Sequence, residues 1–503
     1  MSLVINHCLA PVHEFSNRFD AARILKMSAR PLSLHCLAVL IALAGMMAAP
    51  TEGYAAVYRG IATTGQDIVG PHQFSVDTNA YEFVYGGYAE DANVSKVTLN
   101  LLPGAEVTDS VFGAYALRGN ARFNTINFSS NSLVYVESYA GAASNGDATN
   151  NTANVYGGFI PDLKGGQSAH GNATYNTVNV YAGEVHSIFG GNASSDTVTV
   201  NASYNKVNIY GGLINSIYGG YSISNYGSLN VNNSFYNTVT LFGTSASSIV
   251  GGASPRGYAN HNTVILNGCD FINSNISGAD ALVVANNNRV SLYGSIVNGG
   301  AINGARTTSG VASNNTVNLH NVSLNNTELY GGRVSSSGTS VNNTLNMHAS
   351  SGTLKSIAYF QNYNFNLGAN QGNGSTVLTV SDDANVDNAL VKLVAHKNTQ
   401  WKVGDTITLI DASGATGTVS MSTANSTTES MQGFAKKLTF SLSTSGDMLQ
   451  AKLIGSQVNE ELKALSEGQI AYASIVRQGS DLIVSKGMTS AIEADLTPFL
   501  VPF

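Results

Sequence analysis

Asn176 opens the stretch "NTVNVYAGEVHSIFGG" and Asn205 opens "NKVNIYGGLINSIYGG". In both, apolar residues stand two and four places after the asparagine, with polar ones between them. The same figure starts at Asn124, Asn151, Asn237, Asn262, Asn288, Asn315 and Asn343, at intervals of 25 to 32 residues, and a fainter copy begins near Lys96. The apolar pairs include Ile126 and Phe128, Val178 and Val180, Val207 and Ile209, Val239 and Leu241, and Val317 and Leu319. Alternation with period two, carried by branched side chains, predicts a short strand with one buried face. A second apolar position recurs eight or ten residues later, at Leu163, Ile188, Ile217, Ile249, Ile276, Ile302 and Leu329, mostly followed by small residues or a Gly-Gly pair. Glycine there is expected to carry the chain through positive φ at a turn.

Self-similarity at this period marks a solenoid, whose units bury their apolar faces only against one another. Two or three short strands per unit predict an all-β fold: a right-handed parallel β-helix of about ten coils over residues 96–353, rising about 4.8 Å per coil. The leading asparagines should stack as an amide ladder, a residue type that also tolerates left-handed backbone angles. Residues 56–95 are expected to cap the first coil. Residues 354–455 keep strand alternation without the asparagine start, and predict a C-terminal β cap anchored by Trp401. From residue 456 to 490 Glu, Lys, Leu, Ala and Gln dominate, and Leu462, Leu465, Ile475, Leu482 and Ile483 give partial helical spacing.

The fifth position after the asparagine alternates with the buried pair and should face outward. It holds Tyr156, Tyr181, Tyr210, Phe242, Asn267, Tyr293, His320 and His348. Such a stripe is a candidate surface for binding sugar or for self-association, against the alternative of a ladder that only stiffens the coil stack.

Charged residues are 11% of the chain, with a formal charge of −7 and no basic cluster. That argues against nucleic acid as a partner, since phosphate binding needs concentrated Lys and Arg. Residues 37–44 are apolar, follow Arg23, Lys26 and Arg30, and precede small residues with a plausible cleavage after Ala55. This predicts a secretory signal peptide over residues 1–55 with a long leader, or a start at Met27. Cys8 and Cys36 fall in that leader, so only Cys269 remains and no internal disulfide can form.

A β-helix can host polysaccharide-active enzymes, which need paired carboxylates on one face. Of Asp162, Glu184, Asp196, Asp270, Asp280 and Glu328, Asp162 and Glu328 share a unit position but lie six coils apart, and the others fall in different columns or in turns. Ser168 and His170 are close in sequence, but no nucleophile elbow, P-loop, dinucleotide fingerprint or zinc spacing is present. His320 and His348 provide two ligands, too few for a good metal site. No catalytic residue, cofactor or metal is expected.

Signal peptide, β-helix, cap and final helix, in that order, resemble the autotransporters of Gram-negative bacteria (type V secretion). "GDTITLIDA" and "ELKALSEGQIAYASIVRQGSDLIVSKGM" are similar to the junction of that family, where a helix runs inside a translocator barrel. The resemblance implies an adhesin-like passenger whose residues 491–503 begin a barrel that the chain does not contain, from a truncated or split gene. It further implies export to the cell surface, the outer membrane or the medium (the periplasm if no barrel is supplied). Expected partners are like β-helices, or glycans and proteins on host or cell surfaces. A β-helix polysaccharide enzyme and a non-functional remnant are the alternatives.

Overall fold

Val178 pairs with Val207, and Val207 with Val239, in parallel register and with no exposed surface. The structure, a computed structural model, describes residues 56–78, 80–224, 231–432 and 436–496. The expected signal peptide and the cleavage at Ala55 lie outside them. From Val57 the chain forms one unit, an all-β solenoid of about twelve coils of parallel strands followed by a C-terminal helix.

Each central coil has three strands. The first follows the leading asparagine, as in Thr152–Val155, Thr177–Val180 and Lys206–Ile209. The second is longer, as in Phe159–Ser168, Glu184–Ser194 and Leu213–Ile223. It stacks Leu163, Ile188, Ile217 and Ile249 in one buried file. The third is a short corner strand, as in Ala173–Thr174 and Ala202–Ser203. Two apolar files from each long sheet fill the interior, as with Val178 and Val180 on the first and Val185 and Ile188 on the second. A fully buried Val or Leu contributes roughly 1.5–3 kcal/mol, and each file places one per coil.

The leading asparagines form a buried ladder. Asn176 Oδ1 accepts from the backbone N–H and the Nδ2 of Asn151, both at 3.0 Å. Asn176 Nδ2 donates to the Ala148 carbonyl at 2.9 Å and to Asn205 Oδ1 at 3.1 Å. Every donor and acceptor site of the amide is thereby used, the condition for burying it without penalty. The ladder begins at Asn124, whose Oδ1 takes the Val97 N–H, and ends where Gln361 Oε1 accepts from Asn343 N at 2.8 Å.

Two expectations of backbone geometry are corrected. The left-handed residue is the one before the ladder asparagine: Phe123, Asn150, Tyr175, Tyr204, Tyr236, His261, Asn287, Asn314 and Asn342 all have φ between 55° and 60°. This kink turns the asparagine inward. The Gly-Gly pairs at 165–166, 190–191, 219–220 and 251–252 are not among the positive-φ glycines. They lie within strands, where a Cβ would collide with the ladder amide or with a neighbouring backbone carbonyl. The turn glycines are others, Gly183 and Gly212 at φ 102°, just after the aromatic position.

The expected domain boundaries also move. Parallel pairing already joins Ile68–Val76 to Val94–Leu101, so residues 56–95 contribute coils. It continues past residue 353, because Tyr363 and Phe365, then Val391 and Leu393, keep filling the file that Leu345 and Met347 occupy. Antiparallel closure comes with Thr427–Gln432, Lys436–Ser445 and Met448–Val458, the last of which also pairs antiparallel with Thr406–Asp411. There Trp401 is buried edge-on to Phe440, with ring centroids 5.1 Å apart. The last strand runs to Val458, so the helix starts at Glu460 and not at 456. It continues through a π-turn at Ile483–Gly487 into Met488–Leu496, so residues 491–496 are helical where the start of a barrel was expected.

Candidate functional site

The outward face of the first sheet carries three parallel columns. Thr125, Thr152, Thr177, Thr238, Thr263, Thr316 and Thr344 hold the first position, with Lys206 and Arg289 replacing threonine in two coils. Asparagines hold the next, with Thr240, Ile265 and Ser291 between Asn208 and Asn318, in a second amide ladder that is half-exposed except at the buried Asn208. Asn127 Nδ2 donates to Asn100 Oδ1 at 2.7 Å, Asn154 to Asn127 at 2.8 Å, Asn179 to Asn154 at 2.9 Å and Asn208 to Asn179 at 2.8 Å. The ladder resumes where Asn346 donates to Asn318 at 2.7 Å.

The third column is the aromatic stripe. Tyr156, Tyr181, Tyr210, Phe242 and Tyr293 are exposed and stand in file. Tyr156, Tyr181, Tyr210 and Phe242 stack with centroids 5.1–5.3 Å apart and planes within 7° of parallel. Asn267 interrupts the file, and Tyr293, His320 and His348 resume it at 4.7 and 4.2 Å. Burial pushes both histidines below their ordinary value, and His348 depresses His320 further. His348 Nδ1 also meets Asn366 Nδ2 at 3.0 Å. Because each ring covers its neighbour, the column offers solvent ring edges and phenol hydroxyls, with faces open only at breaks.

Two more aromatic columns escaped the sequence reading. One is the left-handed position itself, where Tyr175, Tyr204, Tyr236 and His261 stack at 4.7–5.0 Å. Its signal was available: an aromatic immediately precedes the leading asparagine in "YN", "YN", "YN" and "HN". The other lies on the second sheet, where Tyr85, Phe112 and Tyr139 stack at 4.7–4.9 Å and Phe189 and Tyr218 at 5.1 Å. Lys164 occupies the rung between them. Its ammonium lies 4.7 Å from the Tyr139 centroid, 2.9 Å from Glu137 Oε1 and 3.0 Å from Asp162 Oδ2. Burial raises the Asp162 carboxyl, with Lys164 opposing.

That cluster gathers two acids around one base on the second sheet, and sequence reading missed Glu137. Lys164 is held by both carboxylates. Glu328 instead pairs with Arg333 and Lys355. Ser168 Oγ donates to the Gly146 carbonyl at 2.7 Å, while His170 Nδ1 meets the Ser144 carbonyl at 3.1 Å, so each ring or hydroxyl is engaged with backbone. Cys269 is buried in the core, which pushes its thiol up. Among the described residues no three His, Cys, Asp or Glu side chains gather as metal ligands. No protein-family model matches this chain, and no curated protein matches it.

Proposed function

We propose that this chain is an exported adhesive solenoid of the autotransporter passenger kind, and that it works by associating with a second copy of itself through the outward face of the first sheet. The observation that carries this reading is the run of threonine, asparagine and stacked-aromatic columns from Thr125 to Phe242. A like face has the same rise per coil, so contacts made at one rung recur at the next. The amide ladder spends one Nδ2 proton per asparagine within the column, leaving the other for a partner. Edge-on rings suit edge-to-face contacts more than sugar stacking. Continued to His348, the same face has nine rungs at about 4.8 Å, and three outward positions wide it covers roughly 500 Å² per copy. The pair then buries about 1,000 Å², the lower limit for a specific interface, so affinity builds by repetition.

The helix supports the export reading by its exposure. Every described side chain in residues 460–494 is exposed, and Ala464, Gly468, Ala471 and Ala473 keep it slim, as a helix threaded through a translocator barrel would need. Sedimentation of the full chain tests the association. Wild type should assemble as concentration rises, and a Tyr181→Ser/Tyr210→Ser pair, or Asn179→Arg, should stay monomeric with an unchanged far-UV spectrum. A wild-type chain that is monomeric at every concentration would sink the reading.

A further inference from the structure

A depression of about 440 Å³ lies at the corner of the solenoid, lined by residues outside the proposed self-association columns. Its walls are Asn172 and Asn201 on one side, Tyr175 and Tyr204 on the other, with Thr174 and Ser203 between them. The two asparagines belong to a third amide ladder. Asn172 Nδ2 donates to Asp147 Oδ1 at 3.2 Å, and Asn201 Nδ2 to Asn172 Oδ1 at 3.0 Å. Each bond uses one Nδ2 proton and leaves a second available to a ligand acceptor. The Thr174 hydroxyl can donate and accept, while Ser203 Oγ is buried and already accepts from the Phe235 N–H at 3.1 Å.

The aromatic wall adds the second half of a sugar site. Tyr175 is the first ring of its stack: Tyr204 covers one face at 4.8 Å, while the rung before it carries Asn150, so no ring covers the other. Its position is also strained, at φ 59°. Asn150, Asn287, Asn314 and Asn342 show that asparagine serves the same backbone position, and it tolerates that angle better than tyrosine does. The rings stand here against backbone preference. Asp147 at one end of the cleft is offset by the Arg122 guanidinium 3.7 Å away, so the cleft carries no net charge. Phe235 closes the other end.

We infer that this cleft binds a neutral glycan, with a pyranose ring on the open face of Tyr175, sugar hydroxyls of that ring on the Asn172 amide, and the adjoining sugar reaching the Asn201 amide along the outer edge of the stack. Two coil rises, about 10 Å, set the length as one disaccharide unit lying along the solenoid axis. This goes beyond self-association and uses different columns.

Saturation-transfer NMR of the full chain with cellobiose, chitobiose, maltose and lactose tests it, beside an anionic heparin disaccharide. At least one neutral disaccharide should bind. Tyr175→Asn and Tyr204→Asn place at each site the residue the column carries elsewhere, so the fold is retained; Tyr175→Asn, which removes the open ring face, should weaken binding about tenfold, and the double variant at least as much. Tyr181→Ser/Tyr210→Ser should abolish assembly and leave sugar binding intact, which separates failure of one idea from failure of the other. Binding by none of the neutral sugars, binding by the heparin disaccharide alone, or full binding in the Tyr175→Asn/Tyr204→Asn double variant would each overturn the inference.

Discussion

Gly191 lies directly against the amide of Asn205. A Cβ on residue 191 would stand 2.6 Å from the Asn205 side-chain carbon and 2.7 Å from the Ala173 carbonyl oxygen. Neither neighbour can retreat, because Asn205 is bonded to the coil on each side and Ala173 O accepts from Asn205 Nδ2. Gly166 and Asn176, Gly220 and Asn237, and Gly252 and Asn262 repeat the relationship. Gly191→Ala should therefore lower stability by about 2–3 kcal/mol, the cost of overpacking a rigid site. Gly414→Ala, where a Cβ meets open space, should change almost nothing. Urea midpoints of the two variants decide it, and equal midpoints would remove the steric account.

The ladder should be strongest in its middle and weakest at its end. Asn205→Ala strips the acceptor from Asn176 N and Nδ2 and a donor from the Ala173 carbonyl, all buried. Several unsatisfied buried groups cost about 3 kcal/mol or more together. Gln361→Ala removes the partner of a single backbone N–H, that of Asn343, and of the Ser340 carbonyl. About 1 kcal/mol and local fraying are expected there. Hydrogen exchange should show the Asn205 variant opening neighbouring coils on both sides and the Gln361 variant only the adjoining one.

The period, the buried pairs and the outward aromatic stripe were legible in the sequence, because a one-residue shift in a strand exchanges its faces and only one register buries Val178, Val207 and Val239 together. The left-handed kink was not legible, since tyrosine at 175, 204 and 236 contradicts the usual preference for Gly or Asn. Stacking between successive rings, worth about 0.5–1.5 kcal/mol per pair, offsets a strain of about 1–2 kcal/mol per residue. The Gly-Gly pairs misled for a related reason. Glycine signals both a turn and a close approach, and only the coordinates place Asn205 against Gly191. Residues 354–394 hid their coils because Tyr363 and Val391 fill the same file without a leading asparagine.

Lys164 replaces an aromatic ring with a cation between Tyr139 and Phe189, and Glu137 and Asp162 depend on it. Lys164→Met keeps the volume and leaves two carboxylates in register on adjacent coils. The Asp162 pKa is already raised above its free value of 3.8 by burial. A raised carboxyl pKa favours the folded state below the unfolded pKa and disfavours it as pH rises through the folded one. Without the ammonium this slope should steepen, giving a loss of about 2 kcal/mol at pH 7, moderated by the partial exposure of both acids, and less at pH 4. Urea midpoints at the two pH values check this, and an equal loss at both would assign the effect to packing alone.

The stacked His320 and His348 should make the C-terminal coils acid-sensitive. Both pKa values fall below the free value of 6.5, through burial first and, for His320, the second ring beside it. Folding then disfavours the protonated forms, so stability is complete above pH 6.5 and declines as pH drops through that value toward the folded pKa. The bond between Asn366 Nδ2 and His348 Nδ1 points the same way, since a donor facing Nδ1 requires an unprotonated nitrogen and protonation sets two donors against each other. The stack of Tyr293, His320 and His348 itself contains no carboxylate to offset a new charge. Between pH 7.5 and 5 the urea midpoint and the sedimentation-detected assembly should both fall. His320→Tyr/His348→Tyr continues the stripe with the ring found at Tyr181 and Tyr210, and should flatten both responses. NMR titration of the two histidines should give midpoints below 6.5. A double variant with the wild-type pH response would place the sensitivity elsewhere.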